Sequence, residues 1–322
     1  MSYRPARWLP NRHLMTIYAS LVRGASRLAL RRERWELDDG DFVDVDRIAG
    51  RMADAPLVLV LHGLEGSSQA GYMRGTLAAA AERGYAAVAL NFRGCSGELN
   101  RLPRFYHSGD TGDVARAVAK LVAERPGRPL GIIGFSLGGN VTAKFLAERG
   151  EDLPPEVRGA VAISPPFDLK ACAVALDGPG LFPAIYRGRF LRSLRTKALA
   201  KAKRFPKEIN AEAARRATTF RAFDDVVTAP LAGFPSAEVY WERSSAGPLL
   251  GGVRRPLHVI VADDDPFVPP LEIRGSASVT VEHHGQGGHV AFVEGEPWAT
   301  TRYAERRALE VLGEVLEKEL VT

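Results

Sequence analysis

Gly131-Ile-Ile-Gly-Phe-Ser-Leu-Gly-Gly-Asn140 is the stretch on which the reading of this 322-residue chain turns. An apolar run, Leu130 to Ile133, stops at Gly134-Phe135-Ser136-Leu137-Gly138, and a helix-compatible segment follows. Glycine two residues before and two after a serine fits a strand-to-helix turn too tight for side chains at those positions. Such a turn holds the serine in a strained backbone conformation, with its hydroxyl exposed at the top of a sheet. In a chain with 32 glycines the pattern also arises by chance. Its weight rests on whether a base, an acid and oxyanion donors fall where the serine would need them.

Working outward, Leu57–Leu61, Ala86–Leu90, Val157–Ile163 and Leu257–Val261 are further short apolar runs. Continuous apolar runs of this length predict parallel strands buried on both faces. Ala-rich helical stretches separate several of them: Tyr72–Arg83, Thr111–Glu124 and Leu137–Glu148. Strand–helix alternation predicts an α/β fold with one mostly parallel, doubly wound sheet. Ahead of it, Arg34–Leu37 and Asp41–Ile48 alternate around Asp39-Gly40, a hairpin signal. The alternation breaks after residue 166 and resumes near 251. The expected organisation is an N-terminal arm (1–32) with a short helix around His13–Val22, a core (33–166 and 251–322), and a helical cap insertion (167–250). A final helix is expected over Trp298–Leu320, with apolar residues at 304, 308, 312, 315 and 316 forming one buried stripe.

Composition sets broad limits. The hydrophobic fraction of 46% and charged fraction of 25% fit a soluble globular protein. The formal charge of +5 is too modest for this length to point to nucleic acid. Residues 1–24 lack the continuous apolar core of a signal peptide, and the longest aliphatic run is too short to cross a bilayer. Cys95 and Cys172 are the only cysteines, which points to a reducing, cytoplasmic setting and no disulfide framework. Oligomeric state has no signature in the sequence.

The serine finds its partners in order. His289 lies in Gly-Gly-His-Val-Ala-Phe, ahead of the last helix and after a short strand expected at Ser278–Glu282. A base of this kind needs an anion to fix its tautomer. Asp263, Asp264 and Asp265 follow a buried strand; Asp265, immediately before Pro266, is the first choice, Asp264 the second and Asp263 the third. The order Ser136…Asp265…His289 is that of α/β-hydrolases. His62-Gly63-Leu64-Glu65-Gly66 ends the Leu57–Leu61 strand, and the backbone N–H groups of Leu64 and Leu137 are the expected oxyanion donors. Each motif alone has a blander meaning as a turn, a cap or a structural loop. Their joint order favours a nucleophilic triad.

Taken together, the motifs resemble the YheT-type family of α/β-hydrolases over nearly the whole chain. The resemblance is carried by His62-Gly-Leu-Glu-Gly-Ser-Ser68, Asn91-Phe-Arg-Gly-Cys-Ser-Gly-Glu98, Tyr106-His-Ser-Gly109 with Asp113, and Gly134-Phe-Ser-Leu-Gly-Gly-Asn140. Phe223-Asp-Asp225, Gly233-Phe234, Tyr240, Ser244-Ser245, Asp264-Asp-Pro-Phe267 and Gly288-His-Val290 continue it. Asn11-Arg-His-Leu-Met-Thr16 is similar to a family motif that usually has Gln at the position of Met15, and this departure leaves the role of the arm open. The resemblance implies a carboxylic ester hydrolase acting on short- to medium-chain acyl esters, with no cofactor. Some eukaryotic relatives are implicated in fatty-acyl ester synthesis or phospholipid cleavage. The same triad would equally serve an acyltransferase, a thioesterase or a lipid-ester lipase. A non-catalytic ligand-binding module on the same fold would predict a broken triad.

Other residues have competing readings. Arg93 is expected to form a structural ion pair with Asp110 or Asp113, ahead of a role in binding a substrate carboxylate or phosphate. A reactive Cys95 is the less favoured reading, because no second base lies nearby in sequence. His283, His284 and His289 with the three Asp lack metal-ligand spacing, so no metal is expected. Residues 187–207 hold nine Lys/Arg and no acid, interspersed with Phe190, Leu191, Leu194, Ala198 and Leu199. An amphipathic helix with a solvated basic face is the favoured reading. Weak contact with an anionic membrane surface is the second.

Overall fold

The computed structural model describes residues 2–21 and 28–317. Among them an eight-stranded sheet runs in the order β1-β2-β4-β3-β5-β6-β7-β8, formed by Arg31–Glu36, Phe42–Ile48, Ala86–Asn91, Leu57–Leu61, Leu130–Phe135, Val157–Ile163, Leu257–Ala262 and Val279–His284 respectively. β1 and β2 form the hairpin expected around Asp39-Gly40, with Gly40 at φ +81°, and β2 pairs antiparallel with β4. The remaining neighbours are parallel.

Successive residues of a strand point to opposite faces, and both faces of this sheet are covered. Leu57, Leu59 and Leu61 pack on one side with α3 (Gly112–Glu124) and α4 (Leu137–Arg149). Val58 and Val60 pack on the other with α2 (Gly71–Glu82) and α11 (Tyr303–Leu316). Two-sided burial is why these strands read as continuous apolar runs. At about 1.5–3 kcal/mol per fully buried aliphatic side chain, this double core is the main stabilising element.

β4 and β5 lie on opposite sides of β3, so the chain reverses its winding direction between β3 and β5. In open α/β sheets, the crevice outside the strand ends at such a reversal is where ligands bind. Ser136 follows β5 and His62 follows β3.

Between β6 and β7 the chain is helical: α5 (Leu169–Asp177), α6 (Leu181–Ala202), α7 (Ala211–Arg216), α8 (Phe220–Phe223), a π turn at Asp224–Thr228, α9 (Ala229–Leu231) and α10 (Ala237–Ser244). These elements share an apolar cluster that includes Leu191, Phe220, Phe223, Tyr240 and Trp241. Asn140 ties their return to the sheet. Its Nδ2 donates to Ser108 O and Ser244 O, both at 2.8 Å, and its Oδ1 accepts from Ala246 N–H at 2.9 Å.

Two expected boundaries shift. The last helix starts at Tyr303, and Ala299–Arg302 (β10) instead pairs antiparallel with Val293–Glu296 (β9). Burial begins with the helix itself, at Tyr303 and Ala304, whereas Trp298 is 83% exposed on the hairpin turn. The helix's expected end, beyond Glu317, lies outside the described residues. In the arm, α1 spans Arg12–Leu21; Val22, the expected last residue, is also outside the described range.

Candidate active site

Ser136 sits between β5 and α4 at φ +51°, ψ −119°, a conformation that a non-glycine residue adopts only under constraint. The flanking glycines have a measurable reason. A Cβ at Gly134 would lie 2.3 Å from Gly138 O, and one at Gly138 would lie 2.6 Å from Leu61 O. The turn is pressed against its own helix and against the end of β3, leaving no room for side chains at either position.

His289 Nε2 lies 2.8 Å from Ser136 Oγ, and its Nδ1 lies 2.8 Å from Asp265 Oδ2. A carboxylate can only accept, so with Asp265 against Nδ1 that nitrogen is the donor and Nε2 is left to accept from the serine hydroxyl. The Asp265 side chain is 1% exposed. Its Oδ1 also accepts from Phe267 N–H at 2.8 Å and Val268 N–H at 3.1 Å, which fixes its orientation. The neighbouring carboxylates face elsewhere. Asp264 Oδ1 accepts from Gly287 N–H at 2.8 Å and Gly288 N–H at 2.9 Å, and Asp263 lies 3.4 Å from the exposed His283.

The strand-end loop after β3 closes the other side. A Cβ at Gly63 would lie 3.1 Å from Ser136 Cβ, so Gly63 allows the loop to rest against the serine. Among the described residues, neither Leu64 N–H nor Leu137 N–H donates to a protein acceptor. Leu137 is next to Ser136 in the chain and Leu64 lines the same cavity, so two amides without a protein acceptor belong to residues around the serine, the kind of donor an oxyanion needs. His62, fully buried, braces this loop: its Nε2 accepts from Phe92 N–H at 3.1 Å, so its Nδ1 donates to Gly63 O at 2.7 Å. Burial pushes the imidazole down to about 4, so it stays neutral at physiological pH.

A cavity of about 130 Å³ opens on Ser136, Leu137 and His289. Its walls are mainly apolar, from Leu64, Leu169, Phe190, Leu194, Phe220 and Trp241, and five of these six residues come from the helices after β6.

A family model described as alpha/beta hydrolase fold matches residues 56–296. "Putative esterase YheT" of Escherichia coli (strain K12) is 36% identical over 321 residues, covering 97% of this chain and 93% of that protein. The chain belongs to the YheT-type family of α/β-hydrolases. More distant relatives of this α/β-hydrolase include "Monoacylglycerol lipase" of Saccharomyces cerevisiae, 28% identical over 78% of this chain and 57% of that protein. "Phospholipase ABHD3" of Homo sapiens is 26% identical over 91% of this chain and 74% of that protein. Among solved structures, the Pyrococcus furiosus esterase Pf2001 superimposes with a TM-score of 0.57 at 18% identity, over 91% of this chain and 98% of that one, a likeness of fold.

Glu65 and Asp224 lie within motifs that the sequence singles out, but the sequence indicates no role for either side chain. Glu65 (φ +54°) is held between Lys197 of α6 and Tyr106, with Ser193 of α6 on its second oxygen. Asp224, in the π turn, accepts from Trp241 Nε1–H at 2.8 Å, and burial pushes its carboxyl up to about 6. A π turn beside a cavity is a common mark of a functional position. The Phe-Asp-Asp motif had flagged the segment without indicating which carboxylate turns inward.

The remaining sequence readings resolve into structure. Arg93, fully buried, pairs with Asp113 (2.7 Å), Asp39 (2.8 Å) and Asp41 (3.0 Å), while Asp110 pairs instead with Arg104. With its guanidinium occupied by three carboxylates, Arg93 has no face for a substrate anion. Burial pushes the Cys95 thiol up to about 11, leaving it a neutral, unreactive side chain. Among the described residues no cluster of His, Cys, Asp and Glu could hold a metal ion, and no helix is long and apolar enough to cross a membrane.

The basic segment is divided by its fold. Lys197 meets Glu65 at 2.9 Å. Arg187 donates to Leu176 O at 2.8 Å. Lys201, fully buried, donates to Asn100 Oδ1 and Leu102 O at 2.6 Å and to Arg104 O at 2.8 Å. Burial brings the Lys201 ammonium down to about 7. Part of the charge run therefore joins α6 to the sheet's loops and is not available as a solvated or membrane-facing surface.

Proposed function

We propose that this α/β-hydrolase cleaves carboxylic esters of short acyl chains through an acyl-enzyme on Ser136. The observation that carries the reading is the unbroken relay from Ser136 Oγ through His289 to Asp265, with two unspent amides beside it. His289 takes the proton of Ser136 as the hydroxyl oxygen attacks the ester carbonyl. The Leu64 and Leu137 amides stabilise the oxyanion, each worth on the order of 10²–10³ in turnover. His289 then protonates the leaving alcohol. Water repeats the sequence on the acyl-enzyme and releases the carboxylic acid, while Asp265 stays ionised and holds the imidazole tautomer.

The helices of residues 167–250 act in this reading as a cap that supplies most of the acyl-binding wall. A cavity of about 130 Å³ is comparable to the ~150 Å³ apolar cavity known to hold benzene. Its mainly apolar walls suit a short acyl chain. The ester chemistry agrees with relatives named as an esterase and as lipases.

Fluorophosphonate labelling of wild type and Ser136→Ala tests the reading. Labelling of wild type alone is the expected result, and absence of serine-dependent labelling would sink it. A p-nitrophenyl ester series should show kcat/KM highest for the short chains; a maximum at long chains would overturn the proposed acyl specificity.

A further inference from the structure

Four consecutive backbone amides of the histidine loop are held by side-chain oxygens from distant parts of the chain. Gly287 and Gly288 donate to Asp264, just past β7. Val290 N–H donates to Ser164 Oγ, just past β6, at 3.1 Å. The fourth is His289 itself, whose N–H donates to Thr16 Oγ1 at 3.0 Å. Thr16 belongs to α1 in the N-terminal arm.

This contact is constrained from both sides. The Thr16 hydroxyl donates to Arg12 O at 2.8 Å, which leaves its lone pairs for the His289 amide. Gly288 is at φ +57°, and a Cβ there would lie 2.7 Å from Thr16 Oγ1, so the loop passes against the hydroxyl with no space between. Val290 at φ +56° and Phe292 at φ +38° show that the loop continues in a backbone conformation that must be enforced by its surroundings.

The arm is fixed in turn. Ala6 N–H donates to Val293 O and Trp8 Nε1–H donates to Gly295 O, both at 2.9 Å, tying the arm to the β9–β10 hairpin. On its other side, His13 stacks on Phe182 of α6 with ring centres 3.9 Å apart, and lies 3.1 Å from Tyr186 Oη. Tyr186 packs on Phe267, and Phe267 packs on the His289 ring at 4.3 Å.

We propose that Thr16 is a positioning residue for His289, which makes the N-terminal arm part of the active site. The proposal rests on the reading of Ser136, His289 and Asp265 as a working triad. The imidazole must bridge two hydrogen bonds of 2.8 Å, and a displacement of about 1 Å at such a group costs on the order of 10²-fold in rate. Without the Thr16 oxygen the His289 amide would be left without its acceptor, and the loop would relax to satisfy it.

The test uses the full chain with Thr16→Val, which keeps the side-chain shape and removes the acceptor, and Thr16→Ser, which keeps the acceptor. Thr16→Cys, a weak acceptor of similar size, covers the case in which the valine variant does not fold. Three quantities are read: kcat and KM for p-nitrophenyl butyrate per fluorophosphonate-titrated site, Tm, and the low-field proton resonance of His289 Nδ1–H. The resonance is assigned by its loss in His289→Asn. Expected for Thr16→Val is a fall in kcat of about tenfold or more with KM within about twofold, and a shifted or exchange-broadened resonance. Serine should restore both, and cysteine should fall between. A lowered Tm with wild-type kcat per titrated site and an unchanged resonance would overturn the proposal, as would failure of serine to restore them. If wild type neither labels nor turns over ester, the triad reading falls, and the resonance still decides the Thr16 contact.

Discussion

Lys197 Nζ lies 2.9 Å from Glu65 Oε1, and Glu65 directly follows Leu64, which lines the same cavity as Ser136. Tyr106 Oη accepts the Glu65 N–H at 2.7 Å and donates to its carboxylate at 3.0 Å, so the residue is clamped through backbone and side chain together. A positive φ at Glu65 persists only because these contacts enforce it. The helix that walls the cavity thereby also sets the loop that would hold the oxyanion.

Lys197→Met should therefore lower kcat more than it raises KM, by about tenfold or more. It also leaves a carboxylate of 5% exposure without its cation, at a cost of about 3–5 kcal/mol in stability. Ester kinetics and urea denaturation check the two effects. Glu65→Gln with Lys197→Met should recover part of the stability, because the uncompensated charge is gone.

Asp265 and Asp264 are adjacent but should respond differently. Asp265→Asn should reduce turnover by roughly 10⁴, since the amide permits the wrong imidazole tautomer. Asp264→Ala should cost about 2–3 kcal/mol of stability through the two loop amides it strands, with a smaller loss of turnover. If the Asp264 variant shows the 10⁴ loss and the Asp265 variant does not, the assignment of the acid is reversed.

His62 gives a pH dependence of defined sign. Its folded value, lowered by burial to about 4, lies below the ordinary value of 6.5, so between these pH values the unfolded chain binds the extra proton. Its contribution to stability is complete above pH 6.5 and is lost as pH falls towards 4. The full span is on the order of 3 kcal/mol. The difference in unfolding free energy between wild type and His62→Gln, followed from pH 7 to 4, should shrink as pH falls. A constant difference would show that His62 does not titrate in this way.

Asp224 has the opposite sign. Burial raises its carboxyl from 3.8 to about 6, so the folded state holds the proton more tightly in that window. Stability from the neutral acid is present below pH 3.8 and lost as pH rises through about 6. Asp224→Asn keeps an acceptor for Trp241 and removes the ionisation. It should raise Tm by a few degrees at pH 8 and leave it nearly unchanged at pH 4, measured by differential scanning calorimetry.

Much of this architecture is written locally. The elbow glycines are dictated by contacts within a few residues and with the adjacent strand, so Gly134 and Gly138 mark Ser136 directly. The buried strands announce themselves because both faces are covered, and the apolar stripe of the last helix, from Ala304 on, falls on residues that are mostly buried. The misplaced start of that helix has a physical origin. Ala299–Arg302 is held as a strand by pairing with β9, a partner that periodicity within one segment does not reveal.

The sequence fixes the chemistry on offer: one strained serine, one loop histidine, three carboxylates past a strand, and the order in which they occur. Each follows from local sterics or from strand–helix alternation. Which carboxylate meets His289, where the nine cations of the basic segment point, which acids surround Arg93 and what Thr16 touches were decided only by the tertiary structure. Neighbouring side chains such as Asp263, Asp264 and Asp265 project in different directions from one turn, so their roles depend on what other segments bring to meet them. In the case of Thr16 and His289, that meeting joins residues at opposite ends of the chain, and no local pattern encodes it.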